Sequence, residues 1–185
     1  QVPETYRNSL DNYFSDLGLN RNNFFTDVSN YLSYETGQPT HCYDANTINN
    51  KLIFHEIESD EEFETLLDRK ISLKSKNAVF SLNNKVINLA GVVGGKSTSC
   101  STNTKTVIVE CAFFQPEAII GKSVRYDIQS EASHKFERGV DRECQDRVLR
   151  RFIKVVAEHT SIKNMSIVSY EYEKNIIQQI PVNIH

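Results

Sequence analysis

Apolar side chains recur at helical spacing near both ends of the chain. Over residues 4–17 they fall at every third or fourth position between Pro3 and Gly18, which predicts a helix with one buried face. Residues 141–158 repeat the pattern with charged side chains opposite, and predict the longest helix. Capping and proline signals predict three shorter helices, over residues 29–36, 59–68 and 116–122.

Shorter runs rich in β-branched residues predict strands between these helices. The Asn83-Asn84 pair predicts a tight hairpin between two of the strands. Strands and helices are interspersed without regular strand–helix–strand alternation, so the predicted fold class is α+β. The predicted strands cover residues 51–57, 77–82, 85–90, 106–114 and 163–170, and residues 24–28 are predicted to be a short extended segment.

One carboxylate interrupts the apolar strand over residues 106–114. Because strand side chains alternate between faces, Glu110 should share a face with Ile108, Ala112 and Phe114. Burying a carboxylate is costly unless a partner hydrogen-bonds to it. Two interpretations remain open: Glu110 reaches water or pairs with an arginine, or it is a pocket acceptor for a donor on a ligand.

Composition and charge narrow the class of protein. The 185 residues suit a single domain, and 39% apolar with 24% charged residues is an ordinary globular composition. The formal net charge of −3 argues against a stand-alone nucleic-acid binder, which usually carries a basic field. The four cysteines lack the spacing of a zinc site, so no metal is predicted. Reduced thiols and the lack of a membrane-spanning run or a signal peptide predict a cytoplasmic protein.

The two ends suggest a longer protein. The chain starts with Gln rather than Met, and its last six residues have the pattern of a strand that is just beginning. We therefore expect residues 1–185 to be a single domain excised from a multidomain chain, whose last residues lead into the next domain.

A glycine-rich segment allows two interpretations. The run from Ala90 to Ser97 loosely matches a phosphate-binding loop, in which Lys96 would open a helix. The residues that follow are polar and turn-forming and offer no apolar helix face. This context favours a tight turn whose glycines let the backbone approach a ligand.

Several polar side chains have both structural and functional interpretations. His41 follows a Gly-Gln-Pro-Thr turn and is either a structural histidine or a site residue. Asn30 either satisfies backbone groups or contacts a ligand. The polar stretch over residues 130–141 is either a solvated loop with a helix cap or part of a site.

Taken in order, these segments resemble one family, the editing module of the phenylalanyl-tRNA synthetase beta subunit. The resemblance runs from about residue 3 to about residue 170, and its most specific strings are Glu-Cys-Ala-Phe-Phe and Phe-Glu-Arg-Gly-Val-Asp. It implies a fold of layered β-sheets with covering helices. The segments are Asp27-Val-Ser-Asn-Tyr31, Gly37-Gln-Pro-Thr-His-Cys-Tyr-Asp44, Leu89-Ala-Gly-Val-Val-Gly-Gly95, Val109-Glu-Cys-Ala-Phe-Phe114 and Ser130-Glu-Ala-Ser-His-Lys-Phe-Glu-Arg-Gly-Val-Asp141.

The resemblance implies hydrolysis of the ester in mischarged Tyr-tRNA(Phe). It assigns the catalytic positions to His41, beside the amino-acid end of the substrate, and to Glu110, which would read the tyrosine hydroxyl. Five further positions would bind substrate: a pocket asparagine, two wall glycines, a hydroxyl and a small residue that sets pocket size. These are Asn30, Gly91, Gly94, Ser130 and Ala132.

Four positions depart from the usual family pattern. His-Ala-Phe-Asp reads His-Cys-Tyr-Asp here, which changes Cys42 and Tyr43, and Thr-Asp-Ala-Ser reads Ser-Glu-Ala-Ser, which changes Ser130 and Glu131. We expect Asn30, His41, Gly94, Glu110 and Ala132 to line one cavity large enough for a tyrosyl group. The alternative is a structural or tRNA-acceptor-binding module of the same synthetase with weak or lost editing.

The resemblance also implies partners. The acceptor end of tRNA(Phe) would be the substrate, and the synthetase alpha subunit would complete a heterotetramer of two alpha and two beta chains. No cofactor is expected in this chain, whereas the whole synthetase would use ATP and magnesium.

Overall fold

A computed structural model describes residues 2–170 of the chain, which form five α-helices and eight β-strands. The helices are α1 (Asn8–Leu17), α2 (Phe24–Thr36), α3 (Lys122–Tyr126), α4 (Glu131–Arg138) and α5 (Gln145–His159). The strands are β1 (His41–Asp44), β2 (Ile53–Glu56), β3 (Glu61–Glu64), β4 (Lys70–Leu73), β5 (Ala78–Leu82), β6 (Lys85–Leu89), β7 (Val93–Gly94) and β8 (Val107–Glu110). The strand start predicted at the last six residues lies outside the described residues.

The strands form three antiparallel sheets in layers. β1 pairs with β8, the four-stranded sheet has the order β2-β5-β6-β7, and β3 pairs with β4. One face of the β1–β8 sheet packs on a cluster from α1, α2 and α5, to which Cys42, Val107 and Val109 contribute. On its other face, Tyr43 contacts Phe80 of β5 and Asn88 of β6. The α+β prediction and the layered sheets with covering helices are confirmed.

Local signals explain the elements that were predicted correctly. Asn83 and Asn84 both have positive φ angles, as the turn between β5 and β6 requires. Strand 51–57 and the helices over residues 4–17 and 141–158 are also found, each with shorter bounds. Strand 106–114 is shorter too, since only Val107–Glu110 pairs with a neighbour.

Four local predictions differ from the structure. Residues 24–28 belong to α2 rather than to an extended segment, because the Asn23 side chain accepts from the Thr26 amide and caps the helix there. The helix predicted over 59–68 is wrong: β3 lies there, with Phe63 buried against Ile71 of β4. The strand predicted over 163–170 is irregular and exposed. The helix predicted over 116–122 is a 3₁₀ turn, Pro116–Ala118, followed by α3.

The buried side chain of Gln38 links the segment before β1 to the segment after β8. Gln38 follows the left-handed glycine that ends α2 and is 1% exposed. Its amide nitrogen donates to the carbonyl oxygens of Pro39 at 2.8 Å and Ala112 at 2.9 Å. The Cys144 thiol, beside the start of α5, donates to its amide oxygen. Gln38 therefore fixes the entry of β1 against the segment that follows β8.

Replacing Gln38 tests this connection. Gln38→Leu leaves the Ala112 carbonyl without its donor, so we expect a loss of about 1–3 kcal/mol in the free energy of unfolding. Urea denaturation measures the loss, and Gln115→Leu, at an exposed position, is the matched control. Equal stability of the two variants would show that Gln38 does not hold these strands.

Candidate functional site

The pairing of β1 with β8 places His41 directly opposite Glu110. In an antiparallel pair, directly opposed side chains lie on the same face, and side chains two residues along share it. His41, Tyr43, Ile108 and Glu110 therefore share the face that turns towards the four-stranded sheet. Two residues far apart in sequence are thus brought together by register alone.

The Glu110 carboxylate has a hydroxyl partner within the protein. The Tyr43 hydroxyl donates to Glu110 Oε2 at 2.7 Å, and Asn88 Nδ2 donates to the Tyr43 oxygen at 2.8 Å. Burial raises the pKa of Glu110 from 4.5 to about 7, and the hydrogen bond from Tyr43 opposes that rise. Among the described residues, the partner of this carboxylate is therefore Tyr43 and not an arginine.

His41 lies against a glycine that leaves room for its ring. The imidazole meets the Tyr43 ring edge-on, with centroids 4.5 Å apart. A Cβ at Gly94 would overlap Cε1 of the imidazole and approach its Nε2 to 2.7 Å. His41 Nε2 is buried and has no hydrogen-bond partner within residues 2–170. Burial lowers the pKa of His41 from 6.5 to about 4, so the ring is neutral at pH 7.

Gly91 occupies a different environment from Gly94. Its φ of +69° is left-handed, and a Cβ there would meet Ile119 Cδ1 at 2.7 Å and Phe114 Cδ2 at 3.0 Å. Both neighbours belong to the core. Backbone conformation and core packing therefore account for a glycine at position 91, and its place in a pocket wall stays a prediction.

Two of the other predicted site residues lie on or beside α4. Ser130 caps this helix by accepting from the Ser133 amide, and its hydroxyl donates to the Val92 carbonyl at 2.7 Å. Ala132 is half-buried and packs against the core. The bond from Ser130 thus holds the start of α4 to the turn that leads into Gly94.

The expected cavity lined by Asn30, His41, Gly94, Glu110 and Ala132 stays a prediction. Asn30 is exposed on α2. Two surface cavities, of about 580 Å³ beside β3 and β6 and about 430 Å³ beside α4, have linings that include neither His41 nor Glu110. The face that carries this pair is instead occupied by the protein's own Tyr43 ring.

The phosphate-loop interpretation is wrong. Lys96–Thr98 is a single 3₁₀ turn and not the start of an α-helix. Lys96 pairs with Asp68 and Glu64, so its charge is directed to carboxylates and not to an open anion site. Among the described residues, no group of three histidine, cysteine or acidic side chains has the arrangement of a metal site.

Two residues of the hydrogen-bond network around Glu110, Tyr43 and Asn88, were not predicted from the sequence. The sequence marks Tyr43 only as a departure from the family pattern, although strand alternation places it on the face of His41. Asn88 gave no signal of its own, since a single polar residue in a buried strand is recognised only when the facing sheet is known.

Comparison with known proteins adds the family. The sequence profile of the B3/4 domain matches residues 4–161.

The chain belongs to the B3/4 domain family.

This B3/4 domain is also similar to phenylalanine–tRNA ligase beta subunits. Identity is 32% over 167 residues with that of Psychrobacter arcticus, covering 90% of this chain and 21% of the relative. It is 33% over 175 residues with that of Ehrlichia canis, covering 94% and 22%. It is 36% over 132 residues with that of Methylococcus capsulatus, covering 71% and 17%. The chain thus spans about a fifth of the length of these relatives, and the resemblance recognised in the sequence is confirmed.

The pKa values of His41 and Glu110 predict opposite slopes of stability with pH. Raising the pKa of Glu110 from 4.5 to about 7 gives stability that is present below pH 4.5 and lost as the pH rises to about 7. Lowering the pKa of His41 from 6.5 to about 4 gives stability that is present above pH 6.5 and lost as the pH falls to about 4.

Single substitutions should reveal each slope. Relative to wild type, Glu110→Gln should gain up to about 3 kcal/mol in free energy of unfolding as the pH rises through the Glu110 window. The free energy of unfolding of His41→Asn should rise relative to that of wild type as the pH falls from 6.5 to about 4. Urea denaturation across this range measures both, and curves that stay parallel to wild type would contradict the pKa shifts.

Gly94→Ala should displace the His41 ring. The added methyl group overlaps the imidazole, so we expect a loss of about 1–3 kcal/mol in stability and a changed NMR environment of the His41 ring protons. Gly91→Ala is the contrasting variant, since its methyl group meets Ile119 and Phe114. It should lose stability while the His41 signals keep their positions. Equal movement of these signals in both variants would refute the contact.

Proposed function

We propose that this B3/4 domain is the editing domain of the beta subunit of a phenylalanine–tRNA ligase. Its reaction is hydrolysis of the ester in mischarged Tyr-tRNA(Phe). The names of the relatives support the ligase assignment, and the half-buried Glu110 carboxylate opposite a neutral His41 is the observation that carries the reaction.

The need for editing follows from the chemistry of the two amino acids. Tyrosine differs from phenylalanine by one hydroxyl group, and an apolar activation pocket rejects such an analogue poorly. A second site can distinguish tyrosine from phenylalanine if it offers a hydrogen-bond partner to the tyrosine hydroxyl. A phenylalanyl group would leave that acceptor unpaired, at a cost of about 1–3 kcal/mol.

Glu110 has the properties of such an acceptor. Oε2 accepts from Tyr43, while Oε1 accepts no hydrogen bond from any residue in the described range 2–170. A carboxylate has about four lone-pair positions, so the phenol of the substrate can bind at Oε1 without displacing Tyr43. In this proposal Glu110 selects the substrate and does not itself break the ester bond.

His41 supports hydrolysis by position. Its neutral ring presents a buried Nε2 that has no partner among residues 2–170, which suits a contact with water or with the amino-acid end of the substrate. An aminoacyl ester is already labile, and a water molecule held in line with its carbonyl carbon supplies much of the acceleration. Gly94 leaves the space in which the ring lies, and the family resemblance also assigns substrate contacts to Ser130, Ala132, Gly91 and Asn30.

The proposed context places most of the RNA contact elsewhere. A net charge of −3 gives this chain no basic field, so other parts of the ligase and its alpha subunit would hold tRNA(Phe) and present its acceptor end. Two alpha and two beta chains would form the complete enzyme in the cytoplasm. Its synthetic site would use ATP and magnesium. In the described part of this chain, no helix is long and apolar enough to cross a membrane.

A second candidate is a structural or tRNA-acceptor-binding module with weak or lost editing. Two observations favour it: Tyr43 already donates to Glu110, and the two surface cavities lie elsewhere. Under this candidate the acceptor end of the tRNA would contact the domain without hydrolysis.

Deacylation by the full ligase distinguishes the two candidates. Glu110→Ala should reduce the rate on Tyr-tRNA(Phe) about 10- to 100-fold, as the loss of a buried acceptor predicts. Its effect on Phe-tRNA(Phe) should be small. The matched control is Glu117→Ala, at an exposed position. Unchanged hydrolysis in Glu110→Ala would exclude the proposed function, and no hydrolysis by wild type would favour the second candidate.

A further inference from the structure

Tyr43 is the most completely enclosed member of the site. It is 1% exposed, and the rings of His41 and Phe80 pack beside it, with centroids 4.5 Å and 6.4 Å away. Its hydroxyl joins the two sheets, since it bonds to Glu110 on β8 and to Asn88 on β6. This side chain therefore has one well-defined position.

The direction of each hydrogen bond follows from the donors available. The Asn88 amide nitrogen can only donate, so the Tyr43 oxygen accepts from it. The single hydroxyl proton of Tyr43 then points to Glu110 Oε2. Asn88 thus donates to Tyr43, and Tyr43 donates to Glu110. Because the two bonds point in the same direction, each polarises the other, and the bond to Glu110 is strengthened.

We propose that Tyr43 is a positioning residue, which orients Glu110 and favours its ionised form so that Oε1 receives the hydroxyl of the substrate. This inference rests on the proposed editing function. The bond from Tyr43 fixes the plane of the carboxylate by holding Oε2, and a fixed plane gives Oε1 a fixed direction. A hydrogen bond to the charged form of an acid also favours that form.

Among the described groups around Glu110, Tyr43 is the one that stabilises the ionised carboxylate. His41 lies opposite and is neutral at pH 7, because burial lowers its pKa to about 4. The neighbouring thiols of Cys42 and Cys111 have raised pKa values and stay protonated. No cation pairs with Glu110 among the described residues, and Tyr43 is the hydrogen-bond donor to its carboxylate. Without the hydroxyl, the pKa of Glu110 should rise further above 7.

In a competing interpretation Tyr43 is a blocker, a residue that keeps the substrate hydroxyl away from the Glu110 carboxylate. The hydroxyl of Tyr43 resembles that of the substrate, so it would compete for the same carboxylate. A blocker and a positioning residue give opposite results when the hydroxyl is removed. Tyr43→Phe should accelerate hydrolysis in the first case and slow it, on the acidic side, in the second.

The test is the pH profile of kcat/KM for deacylation of Tyr-tRNA(Phe) by the full ligase, after subtraction of uncatalysed hydrolysis. Tyr43→Phe should move the midpoint of the acidic limb upward by about one pH unit, which is about a tenfold loss below the midpoint. Activity should recover on the alkaline side. Asn88→Ser, which replaces the amide donor to Tyr43 by a shorter hydroxyl, should shift the profile in the same direction by less. Tyr34→Phe, at an exposed position, should match wild type.

A direct titration gives the same answer without activity. The carboxyl signal of Glu110 can be followed by ¹³C NMR in the labelled 185-residue chain and assigned by its disappearance in Glu110→Gln. Its midpoint should rise in Tyr43→Phe and in Asn88→Ser. If Tyr43→Phe does not fold, Asn88→Ser carries the test.

The outcomes separate this inference from the proposed function. If Glu110→Ala deacylates Tyr-tRNA(Phe) like wild type, the editing function itself fails, and this inference fails with it. If Glu110→Ala is inactive while Tyr43→Phe keeps the wild-type midpoint, only the role of Tyr43 is overturned. Faster hydrolysis by Tyr43→Phe at every pH would identify Tyr43 as a blocker and also overturn it.

Discussion

The antiparallel pairing of β1 with β8 is the constraint on which the rest of the structure depends. One face of this two-stranded sheet carries His41 and Glu110, and the other contributes Cys42, Val107 and Val109 to the helical cluster. A slip of β8 by one residue would turn Glu110 towards the helical cluster and Val109 away from it. The core and the candidate site therefore require the same register.

Hydrogen bonds at both ends of the pair hold that register. At one end, Gln38 joins the segment before β1 to the Ala112 carbonyl beyond β8. At the other, the Ala45 amide donates to the Thr106 carbonyl, and the Thr104 hydroxyl donates to Asp44 at 2.6 Å. These hydrogen bonds thus hold both ends of the very short sheet that carries the site. Such bonds matter because two strands of four residues have little intrinsic stability.

The polar layer between the two sheets has an energetic cost of its own. A carboxylate with a raised pKa and an imidazole with a buried, unpaired nitrogen are both less favourable than apolar residues of similar size. Asn88 and Tyr43 offset part of the cost at Glu110, whereas nothing in the described range offsets it at His41 Nε2. Groups that remain incompletely satisfied inside an otherwise well-packed domain are typical of sites that bind something.

Sequence reasoning recovered much of the fold because several signals were local. The asparagine hairpin, the amphipathic helices and the ordered motifs each depend on neighbouring residues. The helix expected over 59–68 failed because a capping signal at Ser59 competes with the pairing of β3 and β4, which the sequence does not display. For the same reason, the alternation that places Glu110 on the face of Ile108 gives no hint of Asn88, which bonds to Tyr43 from another sheet. Contacts between sheets are set by the tertiary fold, and periodicity cannot reveal them.

The separation of β1 and β8 along the chain has a consequence for how the protein is made. Glu110 follows Tyr43 by 67 positions, and the chain between them forms the other two sheets. During synthesis, the first strand emerges long before its partner, and closing so large a loop is slow compared with forming a hairpin. The carboxylate can meet the imidazole only after β8 has been synthesised. A nascent chain that stops short of β8 therefore lacks Glu110 and carries only the His41 half of the candidate site.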